Sequence, residues 1–207
     1  MYAITDRQLL KNQSTSPDLT FLIEFADRAL AAGVDLVQVR ERDLPPRDVF
    51  IVTEAVAKAA REKRACALVN DRADIAASAG AGVHLTTRSL TVNVVRSAFS
   101  SDMLVGVSTH TLEEAKAAQQ GEADFVVFGP VFETAAKKVY GEPVGIEALR
   151  RVVSCLTIPV VALGGINTSN FREALDVGAA GVAGISMFTG TQDIRTLVAA
   201  IKGHTVA

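Results

Sequence analysis

The sequence predicts an α/β fold, a single (β/α)8 TIM barrel over residues 1–207, and three observations predict it. Short apolar runs alternate with helical stretches eight times, the pattern of a parallel sheet covered by its own crossover helices. Residues with chemical content stand just past nearly every apolar run, where a closed barrel gathers the C-terminal ends of its strands. Near the end of the chain, two glycine-containing turns follow two apolar strands, and barrels commonly hold phosphate after strands 7 and 8. A doubly wound open sheet is the alternative for the same alternation.

In order, the strands are expected at Tyr2–Thr5, Leu36–Val39, Ala67–Val69, Gly82–Leu85, Leu104–Val107, Phe125–Phe128, Val160–Leu163 and Gly181–Ala183. The helices are expected at Asp18–Ala32, Pro46–Lys63, Asp71–Ala79, Thr91–Phe99, Leu112–Gln120, Ile146–Cys155, Thr168–Val177 and Gln192–Lys202. Val160 to Leu163 form a buried run, and Gly164-Gly165 lets the backbone turn without a Cβ clash. Gly181 to Gly184 repeats the arrangement and delivers Ile185-Ser186 to a second turn. Backbone N–H groups at such helix starts attract anions. The stretch from Gly129 to Val144 is long for a βα connection and reads as a lid.

Composition narrows the function. The chain is 49% hydrophobic, enough for a large core, and lacks Trp, so that core is aliphatic. A net charge of −2, with no basic run longer than two residues, gives no nucleic-acid footprint. The longest apolar stretches, such as Ile158 to Ile166, are too short for a bilayer. Residues 1 to 10 lack a basic region followed by an apolar one, so a cytoplasmic protein is expected. Cys66 and Cys155 do not form a C-x-x-C pair and read as buried free thiols. The sequence does not set the oligomeric state; a homo-oligomer is allowed for and no obligate partner is indicated.

Several strand ends carry polar groups. In Gln38-Val39-Arg40-Glu41-Arg42, alternation puts Gln38, Arg40 and Arg42 on one face. Two guanidiniums suit a diphosphate, while a strand end paired with Glu41 or Asp43 is the equal alternative. Asp71 after Asn70 reads first as the N-cap of the next helix, and the same carboxylate suits Mg²⁺. His84 reads first as a hydrogen-bonded structural residue, with acid–base chemistry as its alternative. Ser108 points toward a heterocycle, Thr109 or Thr111 caps the following helix, and His110 reads as solvent-exposed. Thr134 and Lys137 are the candidates for phosphate contact on the long loop, whose lysines are otherwise merely solvated. No Ser-His-Asp or Cys-His arrangement is present.

From end to end the chain resembles the thiamine-phosphate synthase/TenI family. The carrying segments are AITDR (3–7), QVRER (38–42), VNDRADIA (69–76), GVHL (82–85), GVSTHTLEEA (106–115), ADFVVFGPVFET (123–134), PVVALGGI (159–166) and GAAGVAGIS (178–186). The resemblance implies a barrel that joins two small-molecule substrates, hydroxymethylpyrimidine diphosphate and a thiazole phosphate (or its carboxylate), giving thiamine phosphate and diphosphate. It also implies that Gln38, Arg40, Arg42, Asn70 and Lys137 hold the diphosphate, with Arg42 in place of the family's usual Lys. Asp71 would then bind Mg²⁺, Ser108 would sit by the pyrimidine, and Thr134, Gly165, Ile185 and Ser186 would hold the thiazole phosphate. Two positions depart from the synthase pattern: Ser89 stands where a second metal-binding Asp is expected, and Ala136 where a second Thr is common. The branch that tautomerises the thiazole, the runner-up, carries a His where this chain has Pro130; His84 would be its substitute. A non-catalytic binder of thiazole phosphate or thiamine phosphate is the third reading.

Overall fold

The computed structural model describes residues 1–11, 19–86, 88–134, 142–191 and 193–204. Its strands are β1 (Tyr2–Ile4), β2 (Leu36–Val39), β3 (Cys66–Asn70), β4 (Gly82–Leu85), β5 (Val105–Thr109), β6 (Phe125–Phe128), β7 (Val160–Leu163) and β8 (Gly181–Gly184). They close into a parallel barrel in chain order, and β8 returns to β1 through Tyr2↔Ala183 and Ala3↔Gly184. The open-sheet alternative is thereby overturned, and the sheet keeps no free edge.

The helices are α1 (Arg7–Lys11), α2 (Thr20–Ala32), α3 (Pro46–Glu62), α4 (Ala73–Ala79), α5 (Val92–Ala98), α6 (Leu112–Gln120), α7 (Ile146–Cys155), α8 (Phe171–Asp176), α9 (Ser186–Thr189) and α10 (Ile194–Lys202). None is long and apolar enough to cross a membrane among the described residues. Strand alternation divides the apolar residues into two cores. Val37, Val39, Val126 and Ala162 face outward and pack with Phe25, Val56, Leu149 and Phe171 of the helices. Tyr2, Ile4, Leu68, Phe125, Val127, Val161 and Ala183 fill the barrel itself. The ring of Phe125 occupies the space that Gly106 leaves open: a Cβ there would fall 2.3 Å from a ring carbon. This apolar plug makes the interior a floor on which a site can stand.

The element boundaries show where local chemistry overrode the expected pattern. α6 and α7 begin and end as predicted, and Thr111 supplies the cap of α6 in a full capping box with Glu114. The helix expected from Asp71 starts instead at Ala73. Asp71 has φ +64°, outside helical space, and Arg72 is the residue at the N-cap position. Asp71 is therefore not the cap. The helix expected from Thr168 starts at Phe171, because Asn167 and Asn170 bond the backbone of the turn through their side chains. α1 and α9, of five and four residues, were not foreseen; neither is long enough to show a period.

Cys66 and Cys155 are exposed, which corrects the expectation of burial. Cys66 shares the inward phase of Leu68 but is the first residue of β3, level with the half-buried Leu36 at the barrel's N-terminal end. Cys155 is the last residue of α7 and is exposed there although it follows the buried Val152 by three positions. Both thiols are expected to react with an aromatic disulfide reagent in the native protein. The Cys66 rate should keep rising above the ordinary thiol range, because partial burial pushes that thiol up. Titrating thiols with and without denaturant checks this; two thiols that react only after unfolding contradict it.

Candidate active site

On β2 to β5 the inward phase changes from apolar to polar in its last step. Gln38 comes two residues after Leu36, Asn70 after Leu68, His84 after Gly82 and Ser108 after Gly106. Gln38 is 1% exposed, and its Nε2 donates to Asn70 Oδ1 at 3.1 Å. Asn70 lies beside His84 in the β3–β4 register. The His84 ring is held at both nitrogens: Nδ1 is 3.1 Å from Tyr2 Oη and Nε2 is 2.7 Å from Ser108 Oγ. Burial, helped by the nearby charge of Arg40, pushes the imidazole down to about 3, so it is neutral at physiological pH. Burial likewise pushes the Tyr2 phenol well up, so it keeps its proton.

This histidine has a cost that a pH titration can read. The unfolded chain binds its proton near the ordinary value of about 6.5, while the folded protein does not until about 3. Between those values the unfolded state carries more protons, so stability falls as pH falls. The groups facing His84 are Arg40, which opposes protonation, and Tyr2 and Ser108, which are neutral. Denaturant midpoints of the His84→Gln variant are expected to fall less between pH 6.5 and 4 than those of the unaltered protein. Parallel curves would show that His84 is protonated in the fold.

Arg40 follows the last residue of β2, and its backbone N–H donates to Thr5 Oγ1 at 3.0 Å. Thr5 in turn donates to Glu41 Oε1 at 2.6 Å, and Glu41 Oε2 accepts the Arg7 N–H at 3.2 Å. Thr5 and Glu41 are both buried, and burial raises the Glu41 carboxyl. Asp43 pairs with Arg7. These bonds pin the chain on either side of Arg40 and tie Glu41 to Thr5 and Arg7, and Asp43 to Arg7. Arg42 lies in an exposed turn beyond β2, so strand alternation does not reach it.

The opposite rim is built by loops. After β6 the chain stays beside β7: Val131 N–H donates to Leu163 O at 2.8 Å and Phe132 N–H to Gly164 O at 2.9 Å. The returning end is tied down by Val144 N–H to Pro130 O and Gly145 N–H to Val131 O. Thr134 is half-buried above this base. Gly164 and Gly165 turn with φ +96° and +66°, values an L side chain rarely adopts. A Cβ on Gly165 would stand 2.3 Å from Glu133 O, so only glycine lets these two loops meet. Ile185 packs against the inner core, and Ser186 starts α9 exposed at the rim. The β8–β1–β2 register continues Ala3↔Gly184 to the level of Ile4 and Gln38. Ile185 and Gln38 thus lie on one level of the barrel, one strand apart on either side of β1.

Asp71 leaves β3 exposed, with its N–H donating to His84 O at 2.9 Å and its carboxylate bonded to none of the described residues. Ser89 is engaged in its own turn, its Oγ accepting Thr86 N–H at 2.7 Å. No cluster of three or more His, Cys, Asp or Glu occurs among the described residues. One hard carboxylate beside an amide still suits Mg²⁺, which takes one or two carboxylates and completes its shell with phosphate oxygens and water. Lys137 and Ala136 lie outside the described residues. His110 is exposed as expected, and its Nδ1 bonds Gly129 O. Tyr2 was missed as a site residue; the signal was a tyrosine in an inward strand phase, whose buried hydroxyl needs a partner.

A family model described as thiamine monophosphate synthase matches residues 1–188. The chain is 45% identical over 196 residues to a putative thiamine-phosphate synthase of Geobacter sulfurreducens, covering 94% of this chain and 89% of that protein. It is 34% identical to a thiamine-phosphate synthase of Clostridium botulinum, covering 94% and 92%. Among solved structures, a thiamine phosphate pyrophosphorylase from Pyrococcus furiosus superposes with a TM-score of 0.83 at 33% identity, over 98% of this chain and 93% of that one. The barrel, the inward polar row and these matches along almost the whole length agree: the chain belongs to the thiamine monophosphate synthase family.

Proposed function

We infer that this protein is a thiamine-phosphate synthase, joining hydroxymethylpyrimidine diphosphate to a thiazole phosphate with release of diphosphate. The observation that carries the reading is identity of 34% and 45% to proteins so named, over 94% of the chain. The C–O bond to the diphosphate breaks, and its electron pair leaves with that group. The thiazole nitrogen then supplies the pair for the new C–N bond to the carbocation-like pyrimidine. The nucleophile is the substrate's own nitrogen, which accords with the absence of an activated side-chain nucleophile among the described residues.

In this reading Gln38, Arg40, Arg42, Asn70 and Lys137 bind the diphosphate, and their cations and amides meet the charge that grows on it as it leaves. Ser108 contacts the pyrimidine. Thr134, Gly165, Ile185 and Ser186 hold the thiazole phosphate. Asp71 would hold Mg²⁺, which when bound neutralises part of the leaving diphosphate's charge. Support for these roles comes from the convergence of the β2–β5 row and the late glycine turns on one end of the barrel. The tautomerase alternative needs a free base beside the thiazole. Pro130 offers none, and His84 is engaged at both nitrogens.

Incubating the protein with Mg²⁺ and both heterocyclic substrates tests the assignment. Thiamine phosphate and diphosphate are expected in equal amounts. Stable binding of both substrates without either product would overturn it.

A further inference from the structure

We propose that Tyr2 is a positioning residue for this site: by donating its hydroxyl hydrogen bond to His84 Nδ1, it holds the imidazole as the Nε2–H tautomer and leaves the Ser108 hydroxyl to donate a hydrogen bond to an acceptor atom of the ligand. The inference rests on the synthase reading for the ligand's identity, but not for the tautomer.

Each proton along this buried chain needs an acceptor. Tyr2 is 0% exposed, and among the described residues its hydroxyl has one hydrogen-bond partner, His84 Nδ1 at 3.1 Å. His84 is 4% exposed, and a neutral imidazole carries one N–H and one acceptor nitrogen. Two arrangements satisfy the Tyr2–His84–Ser108 contacts. In the first, Tyr2 donates to Nδ1, Nε2–H donates to Ser108 Oγ at 2.7 Å, and the serine proton turns into the mouth. In the second, Nδ1–H donates to Tyr2, and the Tyr2 proton, sealed in the barrel, has no acceptor among the described residues. Ser108 must then donate into the wall. A buried hydroxyl left without an acceptor lowers the population of its arrangement by roughly ten- to a hundredfold. The first arrangement therefore dominates.

The two arrangements offer the ligand opposite chemistry at one oxygen. In the first, Ser108 is a donor, and it recognises a ring nitrogen with a lone pair; in the second it is an acceptor, and it recognises an exocyclic amino group. Ser108 is half-buried, whereas Tyr2 packs edge-on against Phe125 and both Tyr2 and His84 are buried, so Ser108 is the most accessible member of the chain. Tyr2 thus sets the polarity of a contact it does not itself make.

Two measurements test this on the whole chain. Nitrogen NMR of protein labelled in its three histidines, with His84→Gln identifying the signals, should show a protonated Nε2 and a bare Nδ1 for His84. In Tyr2→Phe the two tautomers should become mixed. A protonated Nδ1 in the unaltered protein overturns the proposal, whether or not the protein has synthase activity; the expected tautomer in a protein that makes no thiamine phosphate leaves it standing while the synthase reading fails. The second measurement compares the pyrimidine diphosphate with two pyridine analogues, each carrying C–H in place of one ring nitrogen. One analogue should bind the unaltered protein about tenfold or more weakly than the parent. That ratio should shrink in Tyr2→Phe and vanish in Ser108→Ala. An unchanged ratio in Ser108→Ala overturns the donor role.

Discussion

Gly165→Ala is expected to lower the melting temperature by about 5–15 °C and to raise KM for the thiazole phosphate well over tenfold. Two effects act on one atom. The residue sits at φ +66°, where an L side chain costs about 1–2 kcal/mol. The added Cβ would also stand 2.3 Å from Glu133 O and 2.7 Å from Phe132 C and O, all of them backbone. No rotamer relieves a backbone contact, so the segment that carries Thr134 must move, at an overpacking cost of about 1–3 kcal/mol. For a chain of this length each kcal/mol shifts the midpoint by about 2–4 °C. Gly80→Ala is the internal control. Gly80 has φ +64° and ψ +38°, and a Cβ there meets only the end of the flexible Arg61 side chain, at 3.1 Å. It bears the left-handed conformational cost without a backbone collision, and should lose only the smaller part of the stability. Equal losses in the two variants would show that the approach of the two loops is not enforced by glycine. A Gly165→Ala variant with normal KM would separate the turn from phosphate binding.

What was legible in the sequence is what short-range chemistry dictates. Apolar runs such as Phe125–Phe128 and Val160–Leu163 can only be buried strands, and the Thr111–Glu114 spacing announces its own helix start. The glycine turn at 164–165 was readable because few other residues can make it. The rest depended on barrel closure. Tyr2 meets His84 across 82 positions in the chain, and nothing local to either residue signals the contact. Glu41 looked like a partner for arginine because it stands between two of them. The fold instead turns it to Thr5, 36 positions away, whose hydroxyl fixes the Arg40 backbone. Asp71 was ambiguous for a different reason. Aspartate is favoured both as a helix cap and in left-handed backbone, and only the structure shows that the second wins. The cysteines failed as burial markers because their flanks are apolar while the residues themselves sit at element ends, where solvent reaches them.

The ambiguity at Asp71 sets up the sharpest test of the reaction. Asp71→Asn should lower turnover by about 10²–10³-fold, the scale of removing one electrostatic contact to developing charge, while leaving the melting temperature nearly unchanged. Asparagine is chosen because it tolerates φ +64° as aspartate does, and the N–H bond to His84 O is a backbone contact that the substitution keeps. Asp71→Ala removes the same charge but adds left-handed strain, so it should lose comparable turnover and, in addition, stability. The carboxylate makes no hydrogen bond to the described residues, so its deletion breaks no internal network. If its task is to hold Mg²⁺ against the diphosphate, raising the Mg²⁺ concentration should recover part of the lost rate in Asp71→Asn, and KM for the thiazole phosphate should stay near its original value, because the contacts proposed for that substrate lie on the opposite rim. A variant as fast as the unaltered protein would remove Asp71 from the chemistry. A loss confined to thiazole phosphate KM would place it on the wrong side of the mouth.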